Sequence, residues 1–148
     1  MRKFEKVRKH INNKYVQLPH RKTTLAAGYD FYSPITINIP VNGVIHISTG
    51  IKCYMENDEF LQLSVRSGMA TKGIIMAQGV GIVDADYVDS ENNEGDIGFT
   101  LINLSGRPYT VYQGGRIGQG IFLKYGLTVD DEKDEKEVRT GGFNSTGR

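Results

Sequence analysis

The chain has one cysteine, no tryptophan and only four prolines in 148 residues. A lone Cys53 excludes any intrachain disulfide, which fits a reducing compartment. It sits in the alternating run Ile51-Lys52-Cys53-Tyr54-Met55 and reads as a small core residue. No apolar run approaches the roughly 20 residues of a membrane-spanning helix. The basic start is not followed by the apolar stretch of a secretory signal. A cytoplasmic protein with no membrane partner is expected. Net charge is only +1, so no global field argues for nucleic acid. The charge is uneven, however: residues 1–22 carry eight Lys/Arg and one Glu, while Asp130–Glu137 holds six acids and two lysines. Such runs are ordinarily solvated surface.

What is present is strand pattern. The length suits one domain with its own core. Residues 1–24 lack strong periodicity and stay open between a short helix and an edge strand. Ile35, Ile37 and Ile39 alternate with polar residues, and Asn42-Gly43 then signals a hairpin into the alternating run Val44–Met55. Residues 60–66, 74–83, 97–104 and 109–125 read as further strands, the last broken at Gly114-Gly115. Residues 67–73 predict the one helix, capped by Ser67 and ended by Gly73. Residues 88–94 predict a polar surface loop. Many short strands with frequent turns predict an all-β fold, an antiparallel β sandwich or barrel. The domain is expected over residues 1–126. Residues 127–148 are too polar and glycine-rich to fold alone and are expected to be a flexible C-terminal arm.

One stretch carries chemistry: Gly79-Val80-Gly81-Ile82-Val83-Asp84-Ala85-Asp86-Tyr87. Its glycines permit close backbone approach. Its carboxylates suit a metal or an attacking water, and its tyrosine offers a flat face. Three other stretches could join it. Arg66-Ser67-Gly68 places a cation, a hydroxyl and a glycine at a helix start, where backbone N–H groups favour anions. Gly115-Arg116-Ile117-Gly118-Gln119-Gly120 adds a guanidinium and an amide. The tail adds Arg139, Ser145 and Thr146 around Phe143. Three donor clusters suit a polyphosphate, and Phe143 and Tyr87 suit a base and a sugar. Taken singly, each has a plain reading as a cap, a bulged strand, a linker or a solvated turn.

In this order the stretches resemble the five motifs of the trimeric deoxyuridine triphosphatase (dUTPase) family. Ala26-Ala27-Gly28-Tyr29-Asp30 resembles the first and Arg66–Gly73 the second. The aspartate stretch resembles the third, Gly114–Gln119 the fourth and Arg139–Gly147 the fifth. The style is similar to members from Gram-positive bacteria and their phages. The resemblance implies a jelly-roll-like fold and a homotrimer with active sites shared between subunits. It also implies Mg²⁺-assisted hydrolysis of dUTP to dUMP and pyrophosphate, which would limit uracil in DNA and supply dUMP for thymidylate synthesis. Carried over by residue, Asp84 deprotonates the water that attacks the α-phosphorus. Tyr87 packs under the deoxyribose and excludes a 2′-hydroxyl. The backbone of Gln78, Gly79, Gly81, Ile82 and Val83, with Gly98, reads the uracil edge. Arg66, Ser67, Gly68 and Gln119 hold phosphate, and Asp30 holds a metal-bound water. Phe143 covers the uracil while Arg139, Ser145 and Thr146 close on the phosphates. Asp86 is left as structural.

The chemistry is consistent with this. A carboxylate is ionised at neutral pH and can orient water. Mg²⁺ prefers phosphate oxygens and retained waters to a protein cage. Gly115 stands where the family has an Asp before Arg116, and Asn144 replaces a glycine after Phe143. The related dCTP deaminases carry a general-base glutamate where this chain has Thr100, which argues against deamination. A binding role for the basic N-terminus or for the loop Asp89–Glu94, with a protein regulator as partner, stays open.

Overall fold

The structure, a computed structural model, describes residues 1–140. All of its paired strands are antiparallel, and its one α-helix is a single turn, Ser67–Ala70 (α1). The first strand, Lys3–Lys6 (β1), pairs with Ile51–Tyr54 (β5). The N-terminal segment is thus strand there, followed by a 3₁₀ turn at Arg8–His10. A four-stranded sheet joins Tyr29–Tyr32 (β2), Arg116–Lys124 (β11), Glu59–Ser64 (β6) and Gly81–Asp84 (β8), in that spatial order. A three-stranded sheet joins Val44–Ser48 (β4), Gly98–Asn103 (β9) and Ile74–Met76 (β7). Ile37–Ile39 (β3) pairs with Tyr109–Val111 (β10). This is the all-β, jelly-roll-like architecture anticipated from the pattern.

The inward faces of the sheets supply one core. Phe31, Leu61, Phe99, Leu101 and Ile117 are fully buried. Each such side chain stabilises the fold by roughly 1.5–3 kcal/mol through lost apolar exposure. Phe31 and Phe99 meet with ring centroids 5.4 Å apart, and Phe4 meets Phe31 edge-on at 5.6 Å. β6 alternates Glu59, Leu61 and Leu63 inward, so a carboxylate takes a core position. Arg2 compensates it with an Nε bond of 2.9 Å to Glu59, and holds that carboxyl below its usual titration range. Cys53 is buried in the core as its alternating run predicts.

Four local expectations change. Asn42-Gly43 does turn, with Asn42 at φ 60° and the Gly43 amide donating to Pro40 at 2.8 Å. The strands it links nevertheless do not pair: β3 joins β10 and β4 joins β9. The Asn42 amide bonds the Asn103 carbonyl and the Asn103 amide bonds Gly43, so the turn is tied to the end of β9 and passes the chain between sheets. Residues 44–55 and 74–83 are each two strands. Gly50 at φ 74° divides the first and Gly79 at φ 84° the second, conformations open to glycine without strain. The helix is shorter than 67–73. Ser67 is its first residue rather than its cap, and Arg66, in extended conformation, caps it without a side-chain bond. Finally, the loop 88–94 is not wholly surface: Ser90 is buried, and Asp89 and Glu94 both adopt positive φ. Lys52 and Tyr54 bind Asp89 at 2.6 and 2.7 Å, and the Arg8 amide binds Glu94 at 2.7 Å. These bonds hold the two strained residues in place.

Candidate active site

Gly79 turns the chain out of β7 and into β8, which belongs to the other sheet. β8 pairs with β6 on one side only, with Phe60 opposite Asp84 and Leu63 opposite Gly81. It is therefore an edge strand, and among the described residues no strand covers its other side. An edge presents a row of backbone donors and acceptors at fixed spacing. Gln78, Gly79 and Ile82 are exposed there, while Gly81 and Val83 are buried. The Ala77 amide donates to the Thr100 carbonyl at 2.9 Å, which ties the turn to β9. Gly98, two residues along β9, is half-buried; a Cβ on it would overlap the His46 ring. His46 Nδ1 lies 2.9 Å from Thr100 Oγ1.

Beyond β8 a 3₁₀ turn, Ala85–Tyr87, carries the chain past the sheet. Tyr87 is held twice. Its hydroxyl donates to the Asp96 carbonyl at 3.0 Å and accepts from Asn93 Nδ2 at 2.8 Å. Burial raises its titration range, partly opposed by the Asn93 bond. Asn93 is the residue that the sequence concealed: in a polar loop nothing marks one asparagine as a clamp. Asp84 and Asp86 remain largely exposed, at 53% and 62% of their side chains. Arg139 lies across them, with Nη2 2.7 Å from Asp84 and Nε 2.8 Å from Asp86. Its guanidinium stands 5.9 Å from the centre of the Tyr87 ring. Asp84, Asp86 and Arg139, with Asn57, Glu59, Ala85 and Tyr125, line an open groove of about 370 Å³.

The second cluster lies where β2 and β11 pair, beside Arg66 at the cap of α1. Asp30 is buried and takes both carboxylate oxygens to Arg66 Nη1 at 2.9 Å; Arg116 is 3.6 Å away. Gln119 lies opposite Asp30 and Ser64, its amide nitrogen 3.5 Å from Ser64 Oγ. Ser67 and Gly68 are exposed at the start of α1, and a Cβ on Gly68 would meet nothing within 4 Å. A bulge between Arg116 and Gly118 shifts the register of β11 against β2. The plain reading thus holds for Gly118: it is a packing glycine pressed against Phe99. Phe143, Ser145 and Thr146 lie outside the described residues.

The two clusters do not meet within one chain. Asp84 is opposite Phe60 and Arg66 lies six residues further along, about 20 Å at 3.3 Å per residue. No group of three or more acids, histidines or cysteines among the described residues could enclose a metal. The residues here fit a divalent ion carried by phosphate, not one caged by protein, since Asp30 already faces two guanidinium groups.

The dUTPase family model matches residues 14–147. The chain is 36% identical to the deoxyuridine 5′-triphosphate nucleotidohydrolase of Lactococcus lactis, covering 99% of this chain and 98% of that protein. It superposes on the crystal structure of the Streptococcus mutans dUTPase with a TM-score of 0.77 at 32% identity, covering 84% of this chain and 97% of that one. A dUTPase variant from phage phi11 of S. aureus, described with a coordinated structural Mg(II) ion, shares the fold at TM-score 0.71 and 17% identity, covering 93% and 96%. With its third motif on an exposed strand edge and its second and fourth motifs gathered around Asp30, the chain belongs to the dUTPase family.

Proposed function

We propose that this chain hydrolyses dUTP to dUMP and pyrophosphate, with Asp84 as the base that activates the attacking water. The observation that carries this is the β8 edge. An exposed carboxylate ends a strand that, among the described residues, pairs with another strand on one side only, and a clamped tyrosine follows three residues later. The free backbone row suits the alternating acceptors and donor of uracil. Cytosine, with the opposite pattern at two positions, would meet like against like. The Tyr87 ring, fixed by Asn93 and Asp96, lies where a deoxyribose would rest and leaves no room for a 2′-hydroxyl. Asp84 orients a water toward the α-phosphorus and takes its proton.

The phosphate grip comes from Arg66, Ser67, Gly68 and Gln119, joined by the arm, residues 127–148, through Arg139, Ser145 and Thr146, while Phe143 covers the uracil. Phosphoryl transfer needs chiefly positioning and charge neutralisation. Mg²⁺ bound to the triphosphate would add to that neutralisation. Asp30 is the carboxylate that would hold such an ion through water once Arg66 turned toward phosphate.

The separation of the two clusters supports a homotrimer in which one copy supplies Asp84 and Tyr87 and another supplies Arg66 and Gln119. An uncovered apolar row supports it too: Val44, Ile102 and Ile75 are register partners across the three-stranded sheet, and Val44 and Ile75 are exposed. Pyrophosphate release from dUTP, dCTP, dTTP and UTP with Mg²⁺ tests the reading. dUTP should be strongly preferred, and ammonia release from dCTP would overturn it. Asp84→Asn should abolish turnover while a non-hydrolysable dUTP analogue still binds. An active Asp84→Asn would refute the base assignment.

A further inference from the structure

We propose that Lys52 is a positioning residue for sugar selection: from β5 it braces the loop of residues 88–95 against the main chain of Tyr87, and so holds that ring firmly enough to reject a 2′-hydroxyl. This rests on the reading that Tyr87 excludes the 2′-hydroxyl. Lys52 Nζ reaches Asp89 at 2.6 Å and Glu94 at 3.7 Å. The lysine side chain is only 11% exposed, while that of Asp89 is half exposed. The Tyr54 hydroxyl donates to the second Asp89 oxygen at 2.7 Å, and the Arg8 amide donates to Glu94 at 2.7 Å.

Both acids sit at positive φ, 58° and 60°, a backbone region that glutamate keeps only when its surroundings impose it. Between them the loop closes on itself. The Asp89 amide donates to the Glu94 carbonyl and the Glu94 amide to the Ser90 carbonyl, each at 2.9 Å. The closed loop bears on Tyr87. The Ser90 amide donates to the Tyr87 carbonyl at 3.4 Å, and Gly95 passes so near that a Cβ on it would come within 2.6 Å of that oxygen. The hydroxyl bonds to Asn93 and Asp96 steady the tip of the ring, whereas the loop fixes the main chain that carries it. Burial opposes the Lys52 charge, but Asp89 and Tyr54 beside it raise its titration range, and the Lys52 bond holds Asp89 below the usual carboxylate range. An exposed ion pair alone contributes little. This one is shielded on the lysine side, shares its carboxylate with a second donor and anchors a strained turn. Lys52 itself touches no reacting atom.

Steady-state kinetics of the full chain with dUTP and UTP read the brace. Lys52→Met keeps the reach of the side chain and removes its charge. It should raise kcat/KM for UTP roughly tenfold, the worth of one charge-assisted bond, with kcat for dUTP little changed. Asp89→Gly keeps the backbone conformation and removes the same bond, so it should give a similar rise, and the double variant should add little to either. Hydrogen exchange of the peptide covering residues 88–97 should quicken roughly three- to tenfold in Lys52→Met. A merely structural lysine would lower the melting temperature and slow both nucleotides alike. Equal losses for dUTP and UTP, an unchanged UTP rate, or unchanged exchange in the loop overturns the proposal. If the unsubstituted protein used dUTP and UTP equally, the sugar role of Tyr87 would fall, while exchange in the loop would still decide whether Lys52 holds it.

Discussion

Glycines 68 and 118 both lie in motif stretches rich in phosphate-binding character, yet the structure gives them opposite tasks. A Cβ on Gly118 would overlap Phe99 Cε1 and come within 2.7 Å of Cδ1 and 2.8 Å of the Ser64 carbonyl oxygen. Phe99 is fully buried and packed on Phe31, so its ring cannot swing aside. The Ser64 carbonyl belongs to β6 and cannot move without disturbing the central pairing. Overpacking of this kind costs about 1–3 kcal/mol, and with backbone as one obstacle the upper end applies. Replacing glycine returns about 0.4–1 kcal/mol by restricting the unfolded chain. Gly118→Ala should therefore lose about 2 kcal/mol, or about 4–8 °C in melting temperature for a chain of this size. Gly68→Ala meets nothing within 4 Å and lies in α1, where alanine is the better helix former by about 1 kcal/mol. It should leave the melting temperature unchanged or slightly raised, but weaken dUTP binding because a methyl blocks close approach of phosphate to the backbone. Thermal denaturation at fixed protomer concentration, run beside steady-state kinetics, separates the two. A stable Gly118→Ala, or a Gly68→Ala that melts early with unchanged KM, would refute the division.

Three further outcomes follow from the geometry. Tyr87→Phe keeps the ring but loses two hydrogen bonds, so it should cost about 1–2 kcal/mol in denaturant titrations while keeping discrimination of dUTP against UTP. Burial pushes the Cys53 thiol up to about 12 from 9.0, so iodoacetamide at pH 8 should modify it only after unfolding. By the same shift the native state keeps a proton that the unfolded chain releases, and loses stability as pH climbs from about 9 toward 12. Removal of residues 139–148 should abolish most turnover with little change in melting temperature, because residues 125–140 are mostly exposed and place no side chain in the core.

The strands were legible because their signal is local. Alternation in residues 37–39, 44–48, 59–64 and 98–103 places every second side chain in the core, and the burial pattern repeats it. The breaks at Gly79 and Gly50 were not legible, since glycine within an alternating run reads equally as bulge, turn or tolerated strand. Pairing partners were less legible still. Asn42-Gly43 fixes a reversal of the chain but not which strand lies next to β4, and that choice falls to distant β9. The tyrosine clamp failed for a related reason. Asn93 acts through a bond across six residues of loop, and its type and neighbours are those of any solvated turn.

The candidate site follows from where the chain changes sheets. Had residues 74–83 stayed the single strand that their run predicts, β8 would have continued in the three-stranded sheet of β7 and β9. Instead Gly79 sends β8 to the far side of β6, and among the described residues no strand pairs with its other edge beside Asp84. The same routing carries Asp84 to one end of β6 while Arg66 leaves from the other. If Asp84 is the base and Arg66 part of the phosphate grip, as proposed, a single copy does not bring the two together. On the proposed reading a second copy would join them, and the apolar row of Val44, Ile102 and Ile75 would give such a copy a surface to meet.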